Sequence, residues 1–230
     1  MTVPTSIGFS LSVPDSWFEL DVKRSSRDAN IKLLVESRVR DQPELWEHRA
    51  ALIKVLRRQA REAAESGAIY CACFVIVLEE SVIPGAVTVS IIPPPPGGTA
   101  VDAIAEHLPT REASEEDETW TSRSIVHLDG VGRVPRSEGV MDVELPDGSG
   151  TVRSLVMHTF VPLDSDRVLL VAAASPAVDL AEPLLELFDA VTGTLSLVST
   201  PHQQSTAAVI EAATRHERFG PGEADVAAVD

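Results

Sequence analysis

Residues 43–92 most constrain the fold, because a helical period changes there into two strand patterns. Apolar residues first recur at the i, i+3, i+4, i+7 spacing of a helix with one buried face. They are Leu45, Trp46, Leu52, Ile53, Leu56, Ala60, Ala63 and Ala64. Asp41 is the predicted N-cap, Pro43 suits the first turn, and Gly67 is the predicted stop. The pattern therefore predicts one long amphipathic helix.

Two strands are predicted directly after this helix. Residues 69–78 (IYCACFVIVL) are apolar on both alternating faces. A short buried helix is the alternative, but the β-branched and aromatic content favours a central strand. Residues 86–92 (AVTVSII) alternate, as in a strand with one wetter face, and Pro84 and Gly85 are predicted to form the turn. A helix followed by a hairpin favours helices packed on an antiparallel sheet over a βαβ nucleotide fold.

The rest of the chain continues this mixture of strands and helices. Further strands are predicted at residues 8–13, 17–20, 119–128, 139–145, 151–161, 167–174 and 194–198, and helices at 101–108 and 179–191. Residues 23–30 are predicted to be a loop or one helical turn, and residues 31–39 to lead into the main helix or to form its first segment. Together these elements predict an α+β fold in which helices flank an antiparallel β-sheet.

Two segments are predicted to lie outside the regular elements. Residues 93–98 contain four consecutive prolines and two glycines, which indicates a stiff extended connector rather than a ligand for an SH3-like groove. Beyond residue 200 the composition becomes small and polar, and residues 205–216 have the pattern of a weak helix. We therefore predict one domain over residues 1–200 and a flexible C-terminal tail over residues 201–230.

Charge excludes several classes of partner. The chain has 230 residues, a net charge of −16 and a pI near 4.7. Nucleic-acid binding needs clustered Lys and Arg, and anionic lipid also attracts basic segments, so neither partner is expected. No apolar run approaches the ~20 residues that span a bilayer, and no signal-peptide pattern is visible. The expected protein is acidic and cytoplasmic, and its charge serves solubility or attracts a cationic partner.

The two cysteines are interpreted as small buried hydrophobes. Cys71 and Cys73 lie two residues apart in one predicted strand. Their Cα atoms are then ~6.5 Å apart, at the strained limit of disulfide geometry. A metal site would need further ligands from elsewhere in the chain. Neither a disulfide nor a metal site is therefore predicted.

The sequence contains no recognised catalytic motif. The G-x-S-x-G, P-loop and H-E-x-x-H patterns are absent, and no pair of histidines has the H-x-x-x-H spacing. The acidic run at residues 112–118 lacks the alternating oxygens and the glycine of a calcium loop. We therefore predict no catalytic residue, no metal ligand and no cofactor, and a binding protein is favoured over an enzyme.

Five residues are the candidates for a binding surface. Trp17, Trp46 and Trp120 have the amphipathic side chains that anchor partners, although tryptophans also pack in cores. His127 and His158 lie on predicted strands and are placed to share a face. A histidine on a strand is also commonly a half-buried residue with a structural role.

The late part of the chain resembles the Mog1/PsbP-like domains. In residues 160–197 (FVPLDSDRVLLVAAASPAVDLAEPLLELFDAVTGTLSL), a strand, a small-residue–Pro bend and a Phe-Asp-Ala helix precede a last strand. With the strand at residues 8–13, Pro14, Trp17 and the central helix, the likeness covers about residues 6–198. It extends to small actinobacterial proteins of unknown function.

This resemblance implies an α/β/α sandwich around an antiparallel sheet. It also implies a binding role, because members of the group include a small-GTPase partner, a photosystem subunit and chaperones of secreted effectors. No shared catalytic residues exist to transfer. Fold alone does not determine function.

The sequence thus leads to three hypotheses of function. The first is a non-catalytic cytoplasmic protein-binding, adaptor or chaperone-like domain that uses a sheet face or a groove beside the main helix. The second is a small-molecule sensor or an enzyme whose pocket contains His127 or His158 with nearby carboxylates. The third is docking of residues 205–216 onto a partner or a second copy.

Overall fold

The computed structural model describes residues 5–22, 25–41, 45–78, 81–113, 118–144, 150–164 and 166–201. The chain divides into two compact units, one formed by residues 11–196 and the other by residues 1–10 and 197–230. Strands β1 (Thr5–Ser10) and β9 (Ser196–Pro201) pair in a two-stranded sheet. The predicted division into residues 1–200 and a tail stays a prediction.

The larger unit is built on a seven-stranded antiparallel sheet. Its strands are β2 (Phe18–Leu20), β3 (Ala68–Leu78), β4 (Ser81–Ile92), β5 (Trp120–Leu128), β6 (Gly132–Glu144), β7 (Thr151–Pro162) and β8 (Val168–Ser175), in the spatial order β2-β3-β4-β8-β7-β6-β5. The helices are α1 (Arg27–Asp41), α2 (Arg49–Glu65), α3 (Val101–His107) and α4 (Ala181–Gly193). The predicted class, an antiparallel sheet flanked by helices, is confirmed.

Helices pack on both faces of this sheet. On one face, the α2 face, a core of apolar residues joins α1 and α2 to β2 and β3 and includes Leu20, Val35, Leu56 and Cys71. The register aligns Cys71, Thr88, Ala172, His158, Ser137 and Arg123 across that same face. Helix α3 packs there too, because Arg123 donates hydrogen bonds to backbone carbonyls of α3 at 3.1 and 3.3 Å. Helix α4 covers the opposite face, the α4 face.

The α4 face contains an aromatic cluster, and one of its rings, Phe74, explains why Pro84 and Gly85 do not form the predicted hairpin turn. The Phe74 ring lies 4.8 Å from the Trp17 ring and 6.4 Å from the Phe188 ring. Gly85 pairs with Phe74, and a Cβ on Gly85 would lie 2.2 Å from the Phe74 ring. Pro84 and Gly85 therefore lie inside β4, and their assignment to a turn was wrong. The glycine makes room for the ring, and residues 79–80 lie outside the described residues.

The long amphipathic helix predicted before the hairpin corresponds to α2, but its start was predicted too early. Asp41 is the last residue of α1 and not the N-cap of the next helix, whereas α2 begins only at Arg49 after a turn at residues 45–48. Pro43 lies outside the described residues. The apolar stripe was assigned correctly at its centre, since Leu52, Leu56, Ala60 and Ala63 are buried. Trp46 was wrongly included in it and is 66% exposed.

The two cysteines lie in the core beneath α1 and α2. Both thiols are free and buried, and the Sγ atoms of Cys71 and Cys73 are 3.9 Å apart. The contact with Cys71 and burial together raise the pKa of Cys73. The thiolate is the reactive form of cysteine, so this environment keeps Cys73 unreactive at neutral pH.

Candidate binding site

The described helices leave the middle of the α2 face open. Helices α1 and α2 pack on β2 and β3, while α3 packs on β6 and β5. The strands between them, β4, β8 and β7, present half-exposed side chains on this face. We call these side chains the open strip, and they are Thr88, Ser90, Val156, His158, Phe160, Leu170, Ala172 and Ala174. Val156 is buried, and the other seven are half-exposed.

Strand alternation explains why the strip is low and open. Successive side chains of a strand point to opposite faces. On β4 and β8 the large apolar residues, such as Val87, Val89 and Val171, point to the α4 face and are buried. On this face the alternate positions carry small residues at Thr88, Ala172 and Ala174, beside the larger Phe160 and Leu170. We call the space above the strip, between α2 and α3, the trough, and the strip carries no acidic or basic side chain apart from one histidine.

A pair of polar groups lies beside α3 at the edge of this floor. Ser137 on β6 is directly opposite His158 on β7, and its hydroxyl is buried without a hydrogen-bond partner among the described residues. Burial lowers the pKa of His158, so the imidazole is neutral at pH 7. An unsatisfied buried hydroxyl is unfavourable and uncommon. The pair can offer both a donor and an acceptor to a bound group.

The three candidate tryptophans do not form a common surface. Trp17 is buried against Phe74 on the α4 face, next to the β2 edge of the sheet. Trp120 is half-buried on β5, at the opposite edge. Trp46 is exposed before α2, where the guanidinium of Arg49 lies 5.8 Å from the centre of its ring. The structure therefore brings none of the three into the trough.

The two candidate histidines share a face of the sheet but are separated. His127 pairs with Arg133, and His158 pairs with Ser137, four residues farther along β6. This register places them ~13 Å apart along the strands and two strands apart across the sheet. His127 is exposed. The residues next to His158 on its face include no carboxylate, so no acid–base pair is assembled there.

Sequence analysis identified His158 but missed the residues around it. Ser137, Ala172 and Ala174 come from two other strands, and only the pairing register brings them beside the histidine. The run of small residues at 172–174 was the available signal, but it was interpreted only as part of the predicted strand at residues 167–174. Among the described residues, no group of three or more His, Cys, Asp or Glu side chains could hold a metal ion.

Comparison with known proteins gives a distant structural likeness. No protein-family model matches the chain, and no curated protein matches it significantly. A solved structure described as LpqN, involved in cell envelope biogenesis of Mycobacterium tuberculosis, is similar over 85% of this chain and 86% of that one, with 12% sequence identity and a TM-score of 0.41. None of the described helices is both long and apolar enough to cross a membrane.

Proposed function

We propose that this protein is a non-catalytic binding domain of the adaptor or chaperone type, which holds a protein partner in the trough above the open strip. The observation that carries the proposal is the uncharged, half-exposed floor beside Ser137, whose buried hydroxyl has no hydrogen-bond partner among the described residues. The resemblance to Mog1/PsbP-like binding proteins points the same way and stays a prediction.

The dimensions of the trough favour a polypeptide as its occupant. The floor spans β4, β8 and β7, so it is ~10–14 Å wide at a strand spacing of ~4.8 Å. From Leu170 to Ala174 it runs ~13 Å along one strand. Small-molecule sites are usually closed enough to bury most of their ligand. An open site of this size with a largely apolar floor instead resembles the grooves that receive peptide segments.

A bulky side chain on the floor tests this proposal. Ala172→Trp fills the trough, whereas Ala190→Trp adds the same side chain at an exposed position of α4, on the other face of the sheet. Both variants and the wild-type chain are tagged, purified from the native host and analysed by quantitative mass spectrometry. We expect the wild type and A190W to retain a stoichiometric partner and A172W to lose it at least tenfold.

The comparison is valid when both variants have the far-UV circular dichroism of the wild type. Equal partner recovery with A172W and A190W would overturn the assignment of the trough as the binding site. The assignment would also be overturned if the wild type repeatedly retained no partner above background.

A small polar molecule at Ser137 and His158 is a second candidate, because the Ser137 hydroxyl has no hydrogen-bond partner within the described part of the chain. A thermal-shift screen of polar metabolites tests it. A compound that stabilises the wild type and His127→Gln but neither Ser137→Ala nor His158→Gln would support this candidate. The absence of such a compound would favour the protein partner.

A further inference from the structure

We infer that the outer edge of β5, at residues 123–127, pairs with the same edge of a second copy of this chain, so that two seven-stranded sheets join into one. This edge lies at the end of the sheet and is separate from the trough, so it does not depend on the proposed function. Three features support the pairing, namely the direction of the backbone groups, the register that they allow and the charges on the two sides of the edge.

One bridge within the chain shows that the outer edge of β5 is able to pair. Arg111 lies outside β5 and exchanges two backbone hydrogen bonds with Thr121, at 2.8 and 2.9 Å. The N–H and C=O groups of Thr121 therefore point away from β6. In a strand, the backbone groups of every second residue point to the same side, so those of Arg123, Ile125 and His127 are also directed outward.

The chain cannot extend this bridge along the rest of the edge. The register that joins Arg111 to Thr121 would bring Pro109 opposite Arg123, and proline has no N–H to donate. Helix α3 ends only two residues before this proline, at His107. No other described segment pairs with the outer edge, since β5 is the last strand in the sheet order. The outward backbone groups of residues 123–127 are thus available to a strand from another molecule.

The two edges of the sheet differ in their protection. At the opposite edge, β2 has only three residues, and a very short edge strand is a common protection against pairing between chains. β5 has nine residues, and residues 123, 124, 125 and 127 are exposed. An exposed edge strand of this length is a template for pairing with an extended strand of another chain.

One antiparallel register between two copies uses all of these outward groups. Ile125 then lies opposite Ile125 of the second copy, and Arg123 lies opposite His127 of the second copy on both sides of a twofold axis. These residue pairs would exchange about six backbone hydrogen bonds. A shift of two residues in one direction would bring the second strand against Thr121, whose groups already bind Arg111. A shift in the other direction would leave Arg123 beyond the end of the second copy's strand.

Ile125 provides the apolar centre of the contact. Its side chain is 38% exposed although it is large and apolar. Across the twofold axis it would pack against the same residue of the second copy, and apolar cross-strand pairs of this kind stabilise a sheet. The pairing would therefore remove from water one of the exposed apolar side chains of the sheet.

The charges beside the edge are complementary in this register. Asp102 and Glu106 are exposed on α3 and line a cleft of about 520 Å³ beside Arg123. His127 and Arg133 are exposed and lie opposite each other at the far end of β5. The twofold axis would bring this basic end of one copy toward the acidic cleft of the other, twice in each dimer. Arg123 is compatible with this contact, because its guanidinium donates to backbone carbonyls of α3 at 3.1 and 3.3 Å.

The total charge weakens the association but does not prevent it. Each copy carries a net charge of −16, so two copies repel one another at long range. At physiological ionic strength this repulsion is screened beyond about 8 Å, so the groups that meet across the edge have the larger effect. A ladder of five residues is a small interface, and we expect a dissociation constant on the order of 10 µM.

Sedimentation velocity of the full-length protein tests the inference. Ile125→Lys places two positive charges side by side on the twofold axis and keeps the backbone N–H of residue 125. Val143→Lys is the matched control, because Val143 is 39% exposed and lies on β6, ~26 Å along the strand from the residue opposite Ile125. We expect the wild type and V143K to reach twice the monomer mass of 24.6 kDa, and I125K to associate at least tenfold more weakly.

A cysteine on the twofold axis tests the register. Ile125→Cys would place two thiols on residues whose Cα atoms are ~5.5 Å apart, within the range of a disulfide. We expect mild oxidation to link I125C into a covalent dimer and to leave Val143→Cys monomeric, since the two native cysteines are buried.

Three results would overturn the inference. The first is a wild-type chain that remains monomeric at about 100 µM, well above the expected dissociation constant. The second is a dimer of unchanged affinity in I125K when its far-UV circular dichroism matches that of the wild type. The third is a yield of covalent dimer from I125C no higher than that from V143C.

Discussion

Arg136 illustrates how a single buried cation connects a helix to the sheet. It lies on β6 on the α4 face, and its side chain is only 5% exposed. Its Nη1 group donates to the Asp189 carboxylate of α4, and its Nε donates to the Thr159 hydroxyl at 3.3 Å. The Nη2 group has no partner among the described residues. The guanidinium thus depends on Asp189, which is 60% exposed, for its charge compensation.

Removal of Asp189 should therefore destabilise the protein. Asp189→Ala leaves the buried guanidinium without its carboxylate, and we expect a loss of about 1–2 kcal/mol in the free energy of unfolding, below the range for fully buried pairs because Asp189 contacts water. Glu186→Ala, at an exposed position of the same helix, should change it by less than about 0.5 kcal/mol. Urea unfolding measures both values. Equal effects of the two variants would contradict this role for the ion pair.

His158 should make stability depend on pH. Burial lowers its pKa in the folded state below the value of about 6.5 expected in the unfolded chain. As the pH falls through 6.5, the unfolded chain therefore binds the proton first, and stability decreases until the folded-state pKa is reached. We expect His158→Gln to flatten this decrease between pH 7.5 and 5, and His127→Gln, at an exposed position, to leave it unchanged.

The measurement is the unfolding midpoint of each variant in urea at a series of pH values. Other acidic groups also titrate in this range, but they are common to all three proteins. Identical pH profiles for His158→Gln and the wild type would show that the imidazole is not held neutral by burial.

At the scale of elements, two glycines allow close contacts within the sheet that a side chain would prevent. Gly85 makes room for the Phe74 ring within the β3–β4 pair. Gly139 lies on β6 opposite Thr121, where a Cβ would be 2.0 Å from the backbone oxygen of Trp120 and 2.8 Å from the Cα of Thr121. Unlike a flexible side chain, this backbone has no room to move without disturbing the pairing of β5 with β6.

A methyl group at position 139 should therefore weaken the β5 edge of the sheet. We expect Gly139→Ala to lower the free energy of unfolding by about 2–3 kcal/mol, because β5 must shift away from β6. Gly193→Ala, at the end of α4, meets nothing within 4 Å and should be neutral or slightly stabilising. Chemical denaturation of the two variants and the wild type checks the difference. If Gly139→Ala left the free energy of unfolding unchanged, the backbone of β5 would not lie as close to position 139 as described.

Local patterns predicted elements well and long-range pairing poorly. The strands β5 and β7 and the centre of α2 followed from periodicity alone. Residues 31–39 were predicted to lead into the main helix or to form its first segment, whereas they belong to a separate helix, α1, whose buried residues are Ile31, Val35 and Val39. The Pro84–Gly85 dipeptide signals a turn locally. The glycine is instead required by the ring of Phe74, which becomes its neighbour only through the strand register. The Ser137–His158 pair depends on register in the same way, so only the histidine was singled out.

For the larger unit as a whole, charge and apolar contact have separate locations. The chain carries a net charge of −16, yet the open strip has no carboxylate. At such a site, long-range electrostatic attraction governs the rate of association, while apolar packing governs the lifetime of the complex. This division distinguishes the proposed trough from an interface built on ion pairs, in which salt would accelerate dissociation.

Salt should therefore act on the association of the partner more than on its release. Raising NaCl from 0.1 M to 1 M shortens the screening length from about 10 Å to about 3 Å. We expect the association rate constant of the copurified partner to fall about tenfold and its dissociation rate constant to change less than about twofold. Stopped-flow mixing measures the first, and dilution of the preformed complex measures the second. A dissociation rate that rises with salt while association is unaffected would place the binding energy in ion pairs outside the trough, because apolar contacts on an uncharged floor are not weakened by screening.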